Sequence, residues 1–299
     1  EQTIVFMDIA PVTDGHTLVV TREHFENLFA ATPEGAGAEP EELLTAVIAA
    51  LRERPGLAAG DAIGANVTML TACLGLAAVI RPLPLGRRVR EYAVLAALAS
   101  ALAWLALATG GVSRVEGVLL VAAYVVLVGL VWWREKEPPA LGELAELDED
   151  ESPSSTPALA LLLAAAGIGL MLVGGNLAVN GAERVVDSFG RADSAIGLTV
   201  LALATTAELF ALVLTAMRRD VPEIAVAGVV GSAVYNATLT LGAAAAIHPV
   251  PPAGLVRAAL AATAVAVVVV LAGTRGHLGR LTGGLLIATY AAYVWLVLA

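Results

Sequence analysis

The chain has 299 residues, of which 58% are hydrophobic, and its mean hydropathy is +0.82. This composition lies beyond that of ordinary soluble domains and predicts an all-α polytopic membrane protein in contact with the lipid bilayer. The net charge of -10 is concentrated in residues 1–42 and 135–151, and we expect no nucleic-acid partner. The single cysteine, Cys73, excludes an internal disulfide and a metal cluster held by cysteines.

The first 35 residues differ from the rest of the chain, and they predict a separate, small α/β-like fragment. Two short β-type runs, 4–9 and 16–20, flank a turn that contains Pro, Asp and Gly. The words FMDIAP, GHTLVV and EHFENLF resemble the N-terminal part of histidine-triad (HIT) nucleotide hydrolases. The chemistry of that family comes from a downstream His-x-His-x-His run, which this sequence lacks. We therefore interpret residues 1–35 as a truncated domain or a joined gene fragment, and not as an enzyme.

Apolar segments of helical length follow, and they form a predicted first half over residues 40–134. The segment at 41–52 is only about half as long as a membrane span, whereas those at 57–80, 92–108 and 115–133 are full spans. Trp132 and Trp133 close the last span and suit the aromatic belt at a membrane interface.

Residues 135–157 are acidic and rich in Pro and Ser, which is typical of a solvated linker. A role of this charge run in binding cations is the alternative. Residues 158–299 then form a predicted second half, so that the chain has about nine membrane helices. Its five spans lie at 158–179, 195–217, 224–247, 255–272 and 281–298.

The spans at 195–217 and 224–247 carry the polar side chains of greatest interest. Glu208 lies near the middle of the first span, behind Thr205 and Thr206. A carboxylate at that depth is costly, and it normally meets a polar partner or an ion. Ser232 and Asn236 are four residues apart on the next span and therefore share one helix face. The pattern predicts a cation site between two packed helices; a simple polar contact between the helices is the alternative.

The two halves contain an internal repeat. Placing Glu42 on Glu208 aligns ELLTAVIAALR with ELFALVLTAMR, and one extra residue in the following turn then places Gly64 on Gly231. Four spans lie between 57–80 and 224–247, so the two copies cross the membrane in opposite directions. Inverted repeats in transporters place the substrate near the bilayer midplane, where the repeats meet.

The distribution of basic residues predicts the orientation in the cell membrane. The face that holds the acidic linker has the larger number and is therefore predicted to be cytoplasmic. That face would carry Arg81, Arg87, Arg88, Arg90, Arg134, Lys136, Arg218, Arg219, Arg275 and Arg280, against Arg52, Arg54, Arg114, Arg184, Arg191 and Arg257 on the other.

The stretch GLTVLALATTAELFALVLTAMRRDVPEIAVAGVVGSAVYN resembles the repeat of the sodium/calcium exchanger superfamily of cation antiporters. The usual words are G-T-S/T-x-P-E-L on one helix and G-N-x-x-G-S-N-x-x-N on the next. The resemblance, which covers residues 39–299, implies ten helices and acids that bind Ca²⁺, Na⁺ or H⁺ alternately from each side, with Glu208 and Glu42 as the metal-binding carboxylates. The ion-binding residues that it implies are Thr205, Thr206, Glu208, Ser232, Asn236, Glu42 and Asn66.

The sequence departs from the family pattern in both copies. The expected proline, serine and asparagines are replaced at Ala207, Ala233, Ala65 and Met69, and the first copy is truncated at its N-terminus. A half-span holds Glu42 within a bilayer only where protein surrounds it.

The resemblance implies a membrane antiporter that moves Ca²⁺ or another cation against Na⁺ or H⁺ by alternating access, with no cofactor and no enzymatic activity. The alternatives are a transport-incompetent, chimeric or truncated exchanger and a HIT hydrolase tethered to a membrane. The sequence leaves open which ions are exchanged and which oligomer forms.

Overall fold

The computed structural model describes residues 4–7, 17–20, 40–135, 157–218 and 222–299. Strands β1 (Ile4–Met7) and β2 (Thr17–Val20) pair antiparallel, with Ile4 opposite Val20. Both predicted β-type runs are therefore confirmed over these residues, and the remaining ends of the runs lie outside the described residues. The rest of the HIT-like segment and the acidic linker at 136–156 lie outside the described residues, and their interpretation stays a prediction.

The first half consists of helices, one π-helical turn and one two-residue strand. Pro40 and Pro55 each open a helix, at the position where the missing N–H of proline costs no hydrogen bond. A π-helical turn, Met69–Cys73, joins two helices into one continuous span. The elements are α1 (Pro40–Leu51), α2 (Pro55–Thr68), α3 (Leu74–Ile80), β3 (Leu83–Pro84), α4 (Arg87–Ala108) and α5 (Arg114–Glu135).

The second half repeats this order after a long helix. It contains two more π-helical turns, Gly197–Leu201 and Asn236–Thr240. Its other elements are α6 (Pro157–Phe189), α7 (Asp193–Ile196), α8 (Ala202–Thr205), α9 (Ala207–Arg218), α10 (Pro222–Tyr235), α11 (Leu241–Ile247), α12 (Leu255–Thr274), β4 (His277–Leu278) and α13 (Arg280–Leu298).

The helices are suited to a membrane. In the described part of the chain, five helices are long and apolar enough to cross a bilayer, and the bent pair Asp193–Thr205 and Ala207–Arg218 would form a sixth. Large apolar side chains point outward from the bundle, among them Leu98, Val125 and Trp295, each more than 60% exposed. Such a surface is stable against lipid and not against water, so the predicted polytopic all-α fold is confirmed.

Glycine contacts show that the two halves pack alike. A Cβ atom on Gly75 of α3 would lie 2.9 Å from the carbonyl oxygen of Gly283 on α13. A Cβ atom on Gly242 of α11 would lie 2.7 Å from the carbonyl oxygen of Gly117 on α5. Gly75 and Gly242 are equivalent in the repeat alignment, so the same close helix contact occurs twice.

The connections repeat in the same way. Leu83, which follows α3, pairs with Leu278 before α13, and Val250, which follows α11, pairs with Val112 before α5. Since α4, α5, α6 and the bent span α7–α9 lie between α2–α3 and α10–α11, the equivalent spans run in opposite directions. The chain therefore has the inverted repeat predicted from its sequence.

Candidate cation site

Glu42 lies in the first turn of α1, where a negative charge is favoured by the helix dipole. Its side chain is only 1% exposed, and Thr45, one turn further, is only 2% exposed. Helix α1 contacts α2, α6, α11 and the turn Asn236–Thr240. Protein therefore surrounds this half-span, which is the condition under which it can hold a carboxylate at membrane depth.

The other end of α1 is fixed to α6 by Arg52. The guanidinium donates to the side-chain oxygens of Asn176 and Asn180, both at 2.6 Å, and to Glu183 at 3.3 Å. The three acceptors are spaced by four and three residues, so they form one face of α6. A neighbouring contact, Arg54 to Asp193 at 3.1 Å, ties the α1–α2 connection to the start of α7.

Glu208 lies in the first turn of α9, directly after a break in the helix. The predicted single span at 195–217 is bent by 42° between Thr205 and Ala207. The hydroxyl of Thr206 donates to the carbonyl of Ala202 at 2.7 Å and stays within its own turn. A broken helix exposes backbone carbonyls and a helix terminus, which in transporters are groups that contact the substrate. The Glu208 side chain is half-buried.

The two acid-bearing helices occupy equivalent positions. Helix α1 contacts the turn Asn236–Thr240 and α11, and α9 contacts the turn Met69–Cys73 and α3. We call α2–α3 and α10–α11 the middle spans of the two repeats. Each acid-bearing helix therefore packs on the middle span of the other repeat.

The two predicted amides and the Ser232 hydroxyl lie in these middle spans. Ser232 and Asn236 are 1% and 0% exposed, and Asn66 is 2% exposed. The amide nitrogen of Asn66 donates to the backbone carbonyl of Ala233 at 2.9 Å. Because Asn66 and Ala233 are equivalent in the repeat, their contact places both close to the axis that relates the two halves.

The site has buried oxygen atoms that suit a cation. Among the described residues, the side-chain oxygens of Asn66 and Asn236 have no hydrogen-bond partner. A buried amide without a partner is costly, and a bound cation would offset that cost. Carboxylate, hydroxyl and amide oxygens are the ligands that hard cations such as Ca²⁺ prefer. The described residues contain no group of three acidic, histidine or cysteine side chains that could hold a metal ion.

Asp61 was not among the predicted site residues. It is fully buried on α2, and its Oδ1 accepts a hydrogen bond of 2.9 Å from the hydroxyl of Thr205. A signal for it was present in the sequence, since an acid inside a span is as notable as Glu208. Thr205, which donates this hydrogen bond, is 144 residues away in the sequence, so no local pattern links the two residues.

Comparison with known proteins gives the family. The profile of the sodium/calcium exchanger protein family matches residues 27–133 and 159–299, which is most of both halves. The proposed antiporter CaxA of Alkalimonas amylolytica is 28% identical over 274 residues, covering 87% of this chain and 84% of its own length. The inner membrane protein YrbG of Escherichia coli K12 is 29% identical over 221 residues, covering 71% and 67%. None of these similarities supports the hydrolase alternative.

Solved structures show the same fold. The sodium–calcium exchanger NCX_Mj, soaked with 10 mM Na⁺ and 10 mM Sr²⁺, superimposes with a TM-score of 0.65 at 22% sequence identity. The superposition covers 90% of this chain and 86% of that one. The chain therefore belongs to the sodium/calcium exchanger protein family and is a membrane cation antiporter.

Proposed function

We propose that the chain exchanges Ca²⁺ for Na⁺ or H⁺ across the cell membrane, by alternating access to a site between its two repeats. The observation that carries the proposal is the mutual packing of the halves: each acid-bearing helix contacts the middle span of the other repeat, and the turn that α1 contacts begins at the buried Asn236. The proposed ion-binding residues are Glu42, Asn66, Thr205, Thr206, Glu208, Ser232 and Asn236.

The charge of this site limits the ions that it can bind. Glu42 and Glu208 contribute two negative charges, while Asn66 and Asn236 contribute neutral oxygens. One divalent ion or two monovalent ions balance the charge of these two ligands, and Asp61, which accepts a hydrogen bond from Thr205, adds a third negative charge beside them when it is ionised. An empty, fully charged site is unstable inside a bilayer. The balance favours exchange of a divalent cation against sodium ions or protons.

Inverted repeats supply the conformational change. Two halves with the same packing and opposite orientation have two related arrangements, each opening the shared site to one side of the membrane. The excess of basic residues beside the acidic linker favours a cytoplasmic position for that linker.

The test uses the full chain in sealed lipid vesicles, with Ca²⁺ uptake measured under an imposed Na⁺ or H⁺ gradient. We expect uptake that depends on one of these gradients and that is lost in Glu208→Gln. The matched control is Glu53→Gln, because Glu53 is an exposed acid in the α1–α2 connection. Uptake that survives Glu208→Gln would remove this acid from the site, and no uptake under either gradient would favour the transport-incompetent alternative.

A further inference from the structure

Asp61 and Thr205 form a contact between the two repeats that the proposed exchange does not yet use. Asp61 is 0% exposed on α2, in the first half, and Thr205 is the last residue of α8, in the second half. The Thr205 hydroxyl donates to Asp61 Oδ1 at 2.9 Å. Thr205 directly precedes the helix break before Glu208, so this contact lies at the edge of the cation site.

Three glycines bring the two helices close enough for this contact. A Cβ atom on Gly60 would lie 2.9 Å from the carbonyl oxygen of Ser194, and one on Gly64 would lie 2.4 Å from that of Leu198. In the opposite direction, a Cβ atom on Gly197 would lie 2.5 Å from the carbonyl oxygen of Leu57. Helix α2 and the turn Gly197–Leu201 therefore meet backbone to backbone, and the position of Asp61 relative to Thr205 is fixed by packing.

The Thr205 hydroxyl has one proton and three acceptors within reach. These are Asp61 Oδ1 at 2.9 Å and the carbonyl oxygens of Leu201 and Ala202 at 3.2 and 3.3 Å. A carboxylate is the strongest acceptor of the three, because a hydrogen bond to a charged oxygen is about twice as strong as one between neutral groups.

From this geometry we propose that Asp61 is a positioning residue for cation binding by Thr205. With its proton held by Asp61, the Thr205 oxygen turns its lone pairs away from Asp61 and becomes more negative. A hydroxyl oxygen prepared in this way binds a cation more strongly than one whose proton is free to rotate. The inference rests on the proposed function, since it assumes that Thr205 binds the transported ion.

An aspartate at the position of Asp61 is present in only one of the two repeats. Asp61 is equivalent to Gly228 in the repeat alignment, and a glycine has no side chain that could hold a hydroxyl proton. Beside Glu42, a residue other than this glycine would be needed to position a hydroxyl ligand. Asp61 therefore makes the part of the site near Glu208 different from the part near Glu42.

The experiment measures Ca²⁺ binding and transport by the full chain. Binding is followed by the Ca²⁺-dependent rise in Tm of the detergent-purified protein, and transport by the KM for Ca²⁺ in vesicles. The variants are Asp61→Asn, Thr205→Val and the double variant. Thr199→Val is the control, because among the described residues its hydroxyl donates to a carbonyl four residues earlier, at 2.7 Å, and not to Asp61.

We expect Asp61→Asn to raise the KM for Ca²⁺ by about 10- to 100-fold and to reduce the Ca²⁺-dependent rise in Tm. The Tm without ions should match that of Thr199→Val. Because Asp61 acts through Thr205, the double variant should bind Ca²⁺ no more weakly than Thr205→Val alone.

Three results overturn the inference. The first is a normal KM in Asp61→Asn, and the second is an effect of Asp61→Asn that adds in full to that of Thr205→Val. Asp61→Ser, which is smaller and keeps a neutral acceptor, is made in parallel. The third result is that both Asp61 variants fail to fold while Thr205→Val folds and binds Ca²⁺ normally. The role of Asp61 is then structural, and the inference is wrong. A wild-type chain without Ca²⁺-dependent stabilisation or uptake would instead overturn the proposed function itself.

Discussion

The two repeats share their packing but not their polar side chains. The glycine contacts of α3 and α11 are equivalent, and so are the backbone pairs at Leu83 and Val250. At four equivalent positions of the middle spans, however, one repeat has a polar residue where the other has a small or apolar one. These pairs are Asp61 and Gly228, Ala65 and Ser232, Asn66 and Ala233, and Met69 and Asn236. Alternating access needs two halves that can exchange conformations, and this requires symmetry of packing and not of ligands.

Each repeat keeps one glutamate at the equivalent position, Glu42 or Glu208, but the surroundings of these two acids differ. Glu42 is 1% exposed on a helix that contacts α2, α6, α11 and the turn Asn236–Thr240, whereas Glu208 is half-buried. Among the described residues, α9 contacts α3, α8, α10 and the turn Met69–Cys73.

The largest effect should come from Glu42→Gln, which tests whether the two acids are equal partners. We expect Ca²⁺ exchange to fall by at least about 100-fold, as for Glu208→Gln, because the transported ion loses one of two charged ligands. Exchange is measured as gradient-driven Ca²⁺ uptake, with Glu53→Gln as the control. Normal exchange by Glu42→Gln would remove Glu42 from the cation site.

The next effect concerns the shared packing. Gly75→Ala and Gly242→Ala should each destabilise the protein by about 1–3 kcal/mol, since the new methyl group would meet a backbone carbonyl that cannot easily move. Gly284→Ala on α13 is the control, because its Cβ would have open space and alanine favours a helix by about 0.5–1 kcal/mol over glycine. The measurement is Tm in detergent. Unequal losses at Gly75 and Gly242 would break the equivalence of the two contacts.

Hydropathy and the repeat alignment were sufficient to predict the spans and the halves. The register that placed Gly64 on Gly231 also makes Gly75 and Gly242 equivalent, and the structure shows the same contact at both. The break at Thr206 was not predictable, because ALATTAELF contains neither Gly nor Pro and Ala207 replaces the usual proline. The local feature at the bend is the pair Thr205 and Thr206, whose hydroxyls donate to carbonyls one turn earlier, a contact that often bends helices.

The partners of the polar residues were also hidden from the sequence. Asn66 donates to the backbone of Ala233, a residue whose side chain gives no polar signal. Asp61 meets Thr205 only because glycines on both helices allow a close crossing. Long-range contacts of this kind depend on the packed bundle and have no local periodicity.

A smaller effect separates Arg52 from Arg218, which are equivalent at the ends of α1 and α9. Arg52 is partly buried and bound to α6, and Arg218 is exposed. We expect Arg52→Ala to cost about 1–2 kcal/mol, since three acceptors on α6 lose a charged donor, and Arg218→Ala to change stability by less than about 0.5 kcal/mol. Thermal unfolding in detergent measures both. Equal changes would mean that the contacts of Arg52 with α6 add nothing to stability.

The smallest effect tests the axis between the repeats. Asn66→Ala removes the buried hydrogen bond to Ala233 and should cost about 1 kcal/mol of stability. If the two positions are related by the axis, adding Ala233→Asn places an amide where it can donate to the carbonyl of residue 66. The space vacated by Asn66 accepts the new side chain, so the double variant should regain most of the lost Tm. A double variant less stable than Asn66→Ala would show that positions 66 and 233 are neighbours without being equivalent, because an amide moved to an unrelated position is left buried without a partner.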